Sequence, residues 1–307
     1  MKISTHLLFD RASSQMSTVQ NKLTQTQAQL AQGKQIINAS DSPNQAATIQ
    51  RLKSILNRQE SYQSSLNTVK ARLEGEDSAL RSVSDLLVRA KEVAVQGAND
   101  TLSAGDRKAL ATEMQAVRDQ MLSLANTRDS NGNFLFSGSR VKQAAFVETP
   151  NGSPEYRGDQ TRMNVRVGEQ RSIPMNRTGT DAFVPVPRVD TDGTSVGVSF
   201  FKVMDDLIAG LNGSKGADIR RGVGELDTLQ GGLSLARAEI GTNLNVVDQQ
   251  TSVSEDTTLN LKSTLSSFED LDYASAITKM NQQMLSLEAA QASFAKVSQL
   301  NLFNYIK

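Results

Sequence analysis

From Leu52 the chain steps in sevens through Leu66, Leu73, Leu80, Leu87 and Ala94, with Gln59 the one polar member of the series. An interleaved series runs Ile55, Tyr62, Val69, Glu76, Val83 and Ala90, with Glu76 its one charged member. Ser, Gln, Asn, Lys, Arg, Glu and Asp fill the positions between. This 3-4 spacing predicts one long helix with an apolar seam, packed against other long helices. At the rise of an α-helix, a stretch from about 45 to 97 is roughly 75–80 Å long. A second series of similar length runs Ile219, Leu226, Leu233, Ile240, Val247, Ser254, Leu261 and Phe268. It supplies a partner of matching reach, weakened at Gly231-Gly232 by about 1 kcal/mol per glycine.

Both ends of the chain repeat the theme in another key. Ile3, Leu7, Met16, Val19, Leu23 and Leu30 form a seam near the start, and Met280, Leu287, Phe294 and Val297 form one near the end, with Ile277 and Met284 beside it. Seven Gln fall within residues 15–35, and after residue 272 the charged residues are Lys279, Glu288, Lys296 and Lys307. A solvated helix face is normally rich in Lys and Glu. An uncharged polar back suits helices that copies or partners cover; a plain soluble coiled coil is the simpler alternative.

Punctuation divides these helices. Gly33 to Asp41 interrupts the first, and Ser42-Pro43-Asn44-Gln45 is a strong start signal for the second. Gly97 to Asp100 stops it, and Ser103-Ala104-Gly105-Asp106 opens a third through Leu110, Met114, Val117, Met121 and Leu124. The short link at 98–103 predicts an antiparallel hairpin. Five of the six prolines lie between 138 and 198. There Met163 to Val167 and Gln170 to Ile173 alternate around Gly168-Glu169, the pattern of a β-hairpin. Helix returns at Phe200, Val203, Met204, Leu207, Ile208 and Leu211. The predicted fold is mainly α with a small β insert: an elongated antiparallel helical bundle, a coiled-coil rod, plus a β-rich middle domain. Its expected parts are an N-terminal assembly helix at 1–40, rod at 41–137, insert at 138–198, rod at 199–269 and a C-terminal assembly helix at 270–307.

Composition sharpens this. Of 307 residues 38% are hydrophobic, 5% are aromatic and none is Trp, which is too little to fill a large round core. Lys and Arg total 33 and so do Asp and Glu, so no basic face for nucleic acid is implied. With no Cys and one His, His6, neither a thiol nucleophile, a Ser-His-acid arrangement nor a His/Cys zinc site is available. No phosphate loop, cofactor motif, membrane span or cleaved signal is visible. Glu269, Asp270 and Asp272 read as a general-acid pair or divalent-ion site, or more simply as a helix first turn opened by Ser266-x-x-Glu269. Asn151-Gly152-Ser153 matches a short glycosylation acceptor pattern.

Two segments resemble the flagellin superfamily of bacterial flagellar axial proteins. Ala39-Ser40-Asp41-Ser42-Pro43-Asn44-Gln45-Ala46-Ala47 resembles the Asp-Pro motif that opens the family's long N-terminal helix. Phe268-Glu269-Asp270-Leu271-Asp272-Tyr273-Ala274-Ser275-Ala276 resembles its acidic-aliphatic segment before the last helix. The similarity spans 1–140 and 215–307. Met1 to Thr5, Gly132 to Gly138 and Leu300 to Ile306 are most similar to the hook-filament junction branch. The resemblance implies a structural, non-enzymatic, flagellin-like protein of the flagellum, exported unfolded by the type III system. The implied partners are copies of itself in a ring, an adjacent hook-associated junction protein, flagellin, and an export chaperone on the C-terminal region. No cofactor, nucleic acid or membrane is implied. The terminal seam residues from Ile3 to Leu30 and from Met280 to Val297 are then expected polymer contacts, their helices disordered in the monomer. Filament flagellin is the alternative, and an enzyme housed in the insert a remote one.

Overall fold

The computed structural model of the chain describes residues 2–149, 152–189 and 195–303, and its side-chain description covers 7, 9–149, 152–189 and 195–296. Seven helices are described: α1 (Lys2–Gln32), α2 (Pro43–Gly97), α3 (Ala104–Ala125), α4 (Gly179–Ala182), α5 (Phe200–Asn212), α6 (Gly216–Glu269) and α7 (Tyr273–Phe303). Six short strands lie between α3 and α5: β1 (Phe146–Glu148), β2 (Pro154–Tyr156), β3 (Asn164–Arg166), β4 (Ser172–Pro174), β5 (Val186–Val189) and β6 (Ser195–Val198). The chain is therefore mainly α with a small β insert, as its periodicity predicts. It forms two compact units, Gln59–Glu255 and Met1–Arg58 with Asp256–Lys307, and the divisions fall inside α2 and α6.

In the central unit α2 and α6 run antiparallel. Lys70 meets Asp248 at 2.7 Å, Arg237 Nε donates to Asp77 at 2.9 Å, and Gln230 Nε2 donates to Ser84 Oγ at 2.6 Å. These pairs lie on the flanks and fix register more than they stabilise. The seam between them does the packing. Leu66, Leu73, Leu80 and Leu87 of α2 and Leu226, Leu233, Ile240 and Val247 of α6 are each 2% exposed or less. Burying a Leu or Val side chain is worth about 1.5–3 kcal/mol, so this seam dominates the unit.

The predicted hairpin forms because Ser103 caps α3. Its hydroxyl accepts from Asp106 N at 3.2 Å and donates to the Asp106 carboxylate at 2.7 Å. Arg107 reaches back to the Gly97 and Asn99 carbonyls, closing the α2 end. α3 then packs on α5, burying Leu110, Met114 and Met121 beside Val203, Met204 and Leu207.

The insert is three separate two-stranded antiparallel ribbons, β1-β2, β3-β4 and β5-β6. Val165 pairs with Ile173 across β3-β4, so the Gly168-Glu169 step is the hairpin turn that the alternation predicts. Ribbons this short are marginal alone. They are held by an aromatic cluster: Phe136, Phe146 and Phe200 meet Phe183 edge to face, and Phe201 joins through Phe146 at 5.2 Å. Gly138, at φ +70, allows the chain to turn against Asp159, where a side chain would collide.

Buried charge ties the insert to the helices. The Arg118 side chain is 3% exposed. It donates to Asp205 at 3.1 Å, to Glu148 at 2.5 Å and to the Gly152 carbonyl at 2.8 Å. Arg188 of β5 binds both oxygens of Glu225 at 2.7 Å and Asp206 at 2.7 Å. Arg72 of α2 donates to the Phe134 and Leu135 carbonyls at 3.1 and 2.9 Å, anchoring the turn out of α3. One turn on, Glu76 is fully buried, with one oxygen accepting from Arg177 N at 3.3 Å. Arg72 Nε stands 3.7 Å from Glu76, too far for a hydrogen bond, and the second Glu76 oxygen is unpartnered. Burial accordingly outweighs Arg72 and pushes the Glu76 carboxyl up to about 8.

Candidate assembly surface

In the terminal unit α1 and α7 pack against each other. Phe9 and Phe294 meet with centroids 4.8 Å apart, and Arg11, Ala12, Gln15, Ala290 and Ser293 complete an apolar-walled groove around them. Met16, Val19, Leu23 and Leu30 on α1 and Met280, Leu287 and Phe294 on α7 are half-buried, whereas Leu7 is 54% exposed. The side chains of Ile3, Val297 and His6 lie outside the described residues, as does Asn151 of the acceptor triplet. Among described side chains Thr26 alone is buried on α1 and Ala276 alone on α7. Ile277, Met284 and Leu285 remain exposed. Of the predicted rod residues, Leu52 belongs to this unit and is half-buried. The terminal seams thus meet each other within one chain, while Leu7, Phe9, Ile277, Met284 and Leu285 stay exposed.

The base of the pair is a clasp. α1 ends at Gly33, whose φ is +67 and where a Cβ would stand 2.8 Å from the Tyr273 hydroxyl oxygen. Gln35 N then donates to the Glu269 carbonyl at 2.8 Å, and Leu271 N donates to the Gly33 carbonyl at 3.1 Å. This is an antiparallel bridge between Lys34 and Asp270. Both lysine ammonium groups nearby reach one carboxylate oxygen: Lys34 at 2.6 Å and Lys53 at 3.0 Å from Glu269 Oε1. Lys34, then Lys53, hold the Glu269 carboxyl below the usual carboxylate range against the opposing effect of burial. The Asp-Pro segment closes on itself through Asp41, which accepts from Asn38 N at 2.9 Å and from Gln25 Nε2 at 3.2 Å.

The acidic cluster is therefore not a converging carboxylate pair, and of its three members only Asp272 serves a helix start. α6 runs through Glu269, so Ser266 lies in its last turn instead of capping a new helix. Asp270 takes the Ser266 hydroxyl, and Asp272 caps α7 by accepting from Ala274 N at 3.0 Å and Ser275 N at 3.2 Å. The capping-box pattern fitted one residue spacing but missed the helix break two residues later. Among the described residues no group of His, Asp and Glu is arranged to hold a metal ion, and no helix is long and apolar enough to cross a membrane.

Long seamed helices, chain ends that pair, and a β insert between them define a helical protein whose two terminal helices pack together. The chain belongs to the bacterial flagellin family: the family's N-terminal helical region matches residues 3–141 and its C-terminal helical region matches residues 223–306. Flagellar hook-associated protein 3 of Escherichia coli is 28% identical over 320 residues, covering 100% of both chains. A flagellin of Listeria innocua is 25% identical over 306 residues, covering 98% of this chain and 96% of its own. The solved structure of Xanthomonas campestris FlgL shares the fold, with a TM-score of 0.60 at 24% identity over 71% of this chain and 99% of that one.

Proposed function

We propose that this chain is a structural axial component of the bacterial flagellum, joining a hook-associated junction protein to the flagellin filament. The observation that carries the reading is the end-to-end likeness to a hook-associated protein, with neither chain left over. Its partners are copies of itself in a ring, a hook-associated junction protein on one side and flagellin on the other. It acts outside the cell, as part of the flagellum, and is not an enzyme.

The terminal helices are the assembly elements. Two helices with one buried residue each among their described side chains gain little to offset the entropy of ordering them. Residues 1–40 and 270–307 are disordered in the free chain and fold when neighbouring copies cover Leu7, Met16, Val19, Leu23, Leu30, Met280, Leu287 and Phe294. Residues 41–137 and 199–269 form the rod, and 138–198 is the insert domain. Export through the flagellar type III channel fits a Cys-free chain with such ends, and a chaperone that covers the apolar face of the C-terminal region keeps it from self-association on the way.

The test is a strain lacking this gene. It should build hooks but shed flagellin into the medium, and the wild-type chain should restore filaments. Normal filaments in the deletion strain would overturn the reading. The full-length match to a flagellin favours filament flagellin as the second reading. Purified protein added to filament seeds decides between them: a junction component adds no long filament, whereas a filament subunit does.

A further inference from the structure

The Glu269 clasp does more than end a helix. One carboxylate oxygen holds lysines from two other segments: Lys34, just past α1, and Lys53, from the early turns of α2. Glu269 itself closes α6, and three residues later Asp272 caps α7. The backbone bridge at Gly33–Gln35 and Glu269–Leu271 pins both chain exits side by side. The end of α1 and the start of α7 are thus set by a single part-buried charge cluster, beside a cleft walled by Ile36, Ile37, Ala46, Ala47 and Ile49.

We propose that Glu269 is a positioning residue for assembly: by holding Lys34 and Lys53 it aligns the roots of α1 and α7 so that their seams pair in one register. A weakly buried helix pair depends on such a root. Fixing two ends together makes the remaining pairing intramolecular at high effective concentration, and a loose root scatters the register over many unproductive alignments. The direction of the carboxylate is enforced from both sides. Burial alone would favour a neutral acid, and the two ammonium groups keep it charged. Lys34 and Lys53 are 45% and 39% exposed, so removing the carboxylate costs chiefly the hold that the buried Glu269 has on both segments, not lysine desolvation. The positive φ of Gly33 favours glycine at the end of α1, and a Cβ there would displace the exposed Tyr273 hydroxyl.

This inference rests on the assembly role proposed above. Its test uses the deletion strain complemented with the full chain, scoring copies bound to purified hook-basal bodies and copies secreted into the medium. Glu269→Lys should lower hook-bound protein at least roughly tenfold, as expected from reversing a part-buried charge between two lysines, while secretion is unchanged. The triple variant Lys34→Glu/Lys53→Glu/Glu269→Lys, which recreates the cluster with signs inverted, should restore binding to near the wild-type level. Glu269→Gln is the milder control should the reversal disturb folding, and thermal unfolding of the purified chain should show the central unit intact in all three. Wild-type binding by Glu269→Lys, or a triple variant no better than Glu269→Lys, overturns the clasp. Failure of the wild-type chain itself to bind hooks or restore filaments would instead sink the assembly role.

Discussion

Phe9 and Phe294, from opposite ends of the chain, lie with ring centroids 4.8 Å apart and planes inclined at 47°. The pair closes α1 onto α7 well beyond the clasp, and its rings are not enclosed: Phe9 is 49% exposed. An aromatic pair of this kind adds about 0.5–1.5 kcal/mol beyond the area it buries. That is small against the cost of ordering two 31-residue helices. Phe294→Asp and Leu23→Asp should therefore leave the melting of the central unit within ~1 °C of wild type while abolishing incorporation at the hook. Circular dichroism of the purified variants and immunoblots of isolated flagella check the two halves. A loss of rod helicity in either variant would place the terminal seams in the core of the monomer.

The central seam should respond in the opposite way. Leu80 is fully buried between α2 and its partners. Leu80→Ala removes buried methyl groups and leaves a cavity, so unfolding in urea should lose about 2–5 kcal/mol. Incorporation should fall only as far as the folded fraction does.

Glu76 makes stability depend on pH. Its ordinary value is 4.5 and burial raises it to about 8 in the folded chain. Between these values the folded chain retains a proton that the unfolded chain has lost. Its contribution is thus fully present below about pH 4.5 and is lost as pH rises through 8. Glu76→Gln keeps the shape and cannot ionise. The substitution should raise stability at about pH 9 by on the order of 2–4 kcal/mol and change it little near pH 5. Urea melts at both values check this; an equal effect at the two would mean that Glu76 is charged throughout and held by Arg72.

Arg118 should behave as the pin of the insert. Arg118→Ala removes the buried guanidinium shared by Asp205 and the Gly152 carbonyl, although Asp205 is 21% exposed and keeps the Ser153 hydroxyl as a donor. A loss of ~2–4 kcal/mol is expected. Hydrogen exchange should show protection disappearing first at β1 and β2, before α2 and α6. Uniform loss across the unit would show that the insert and helices unfold as one.

What could be read from the residues follows from range. Heptad seams are local, so α2, α6 and their register-setting leucines were legible, and so were the starts at Pro43 and Ser103, where cap chemistry lies within four residues. The β3-β4 hairpin was legible from alternation around Gly168-Glu169. Arg72, Arg118 and Arg188 were not. An arginine reads as surface unless its partners are known, and here the partners come from other segments, as with Arg118 and Asp205. Glu76 left a trace, a carboxylate in a seam otherwise apolar or aromatic. α4 is a single turn with no periodicity to show it, and only Thr178 capping it through Asp181 N gives it a boundary. The Glu269 cluster was visible as an acidic run, but its role was set by Lys34 and Lys53, which only the fold brings there.

The sharpest check on polymer-coupled folding is limited proteolysis of the free chain. Trypsin sites are present along both terminal helices, with Arg11, Lys22, Lys279 and Lys296 all on their exposed sides. Others lie on α2, such as Lys53, Arg58 and Lys70. A helix is cut only after it opens locally, so cutting tracks the free energy of local opening more than the exposure of a side chain. α1 and α7 bury one described residue each, whereas the stretch of α2 from 66 to 94 buries most of its seam completely. The terminal sites should therefore be lost within the earliest time points, leaving a resistant fragment whose ends lie at the flanking sites Lys34 or Arg51 and Lys262 or Lys279. The Lys34 to Glu269 clasp would mark its edge. Survival of the Arg11 and Lys296 sites as long as that of Lys70 would mean that the free chain already holds its ends together. Assembly would then dock a finished coiled coil, and the folding of 1–40 and 270–307 on the polymer would have to be abandoned.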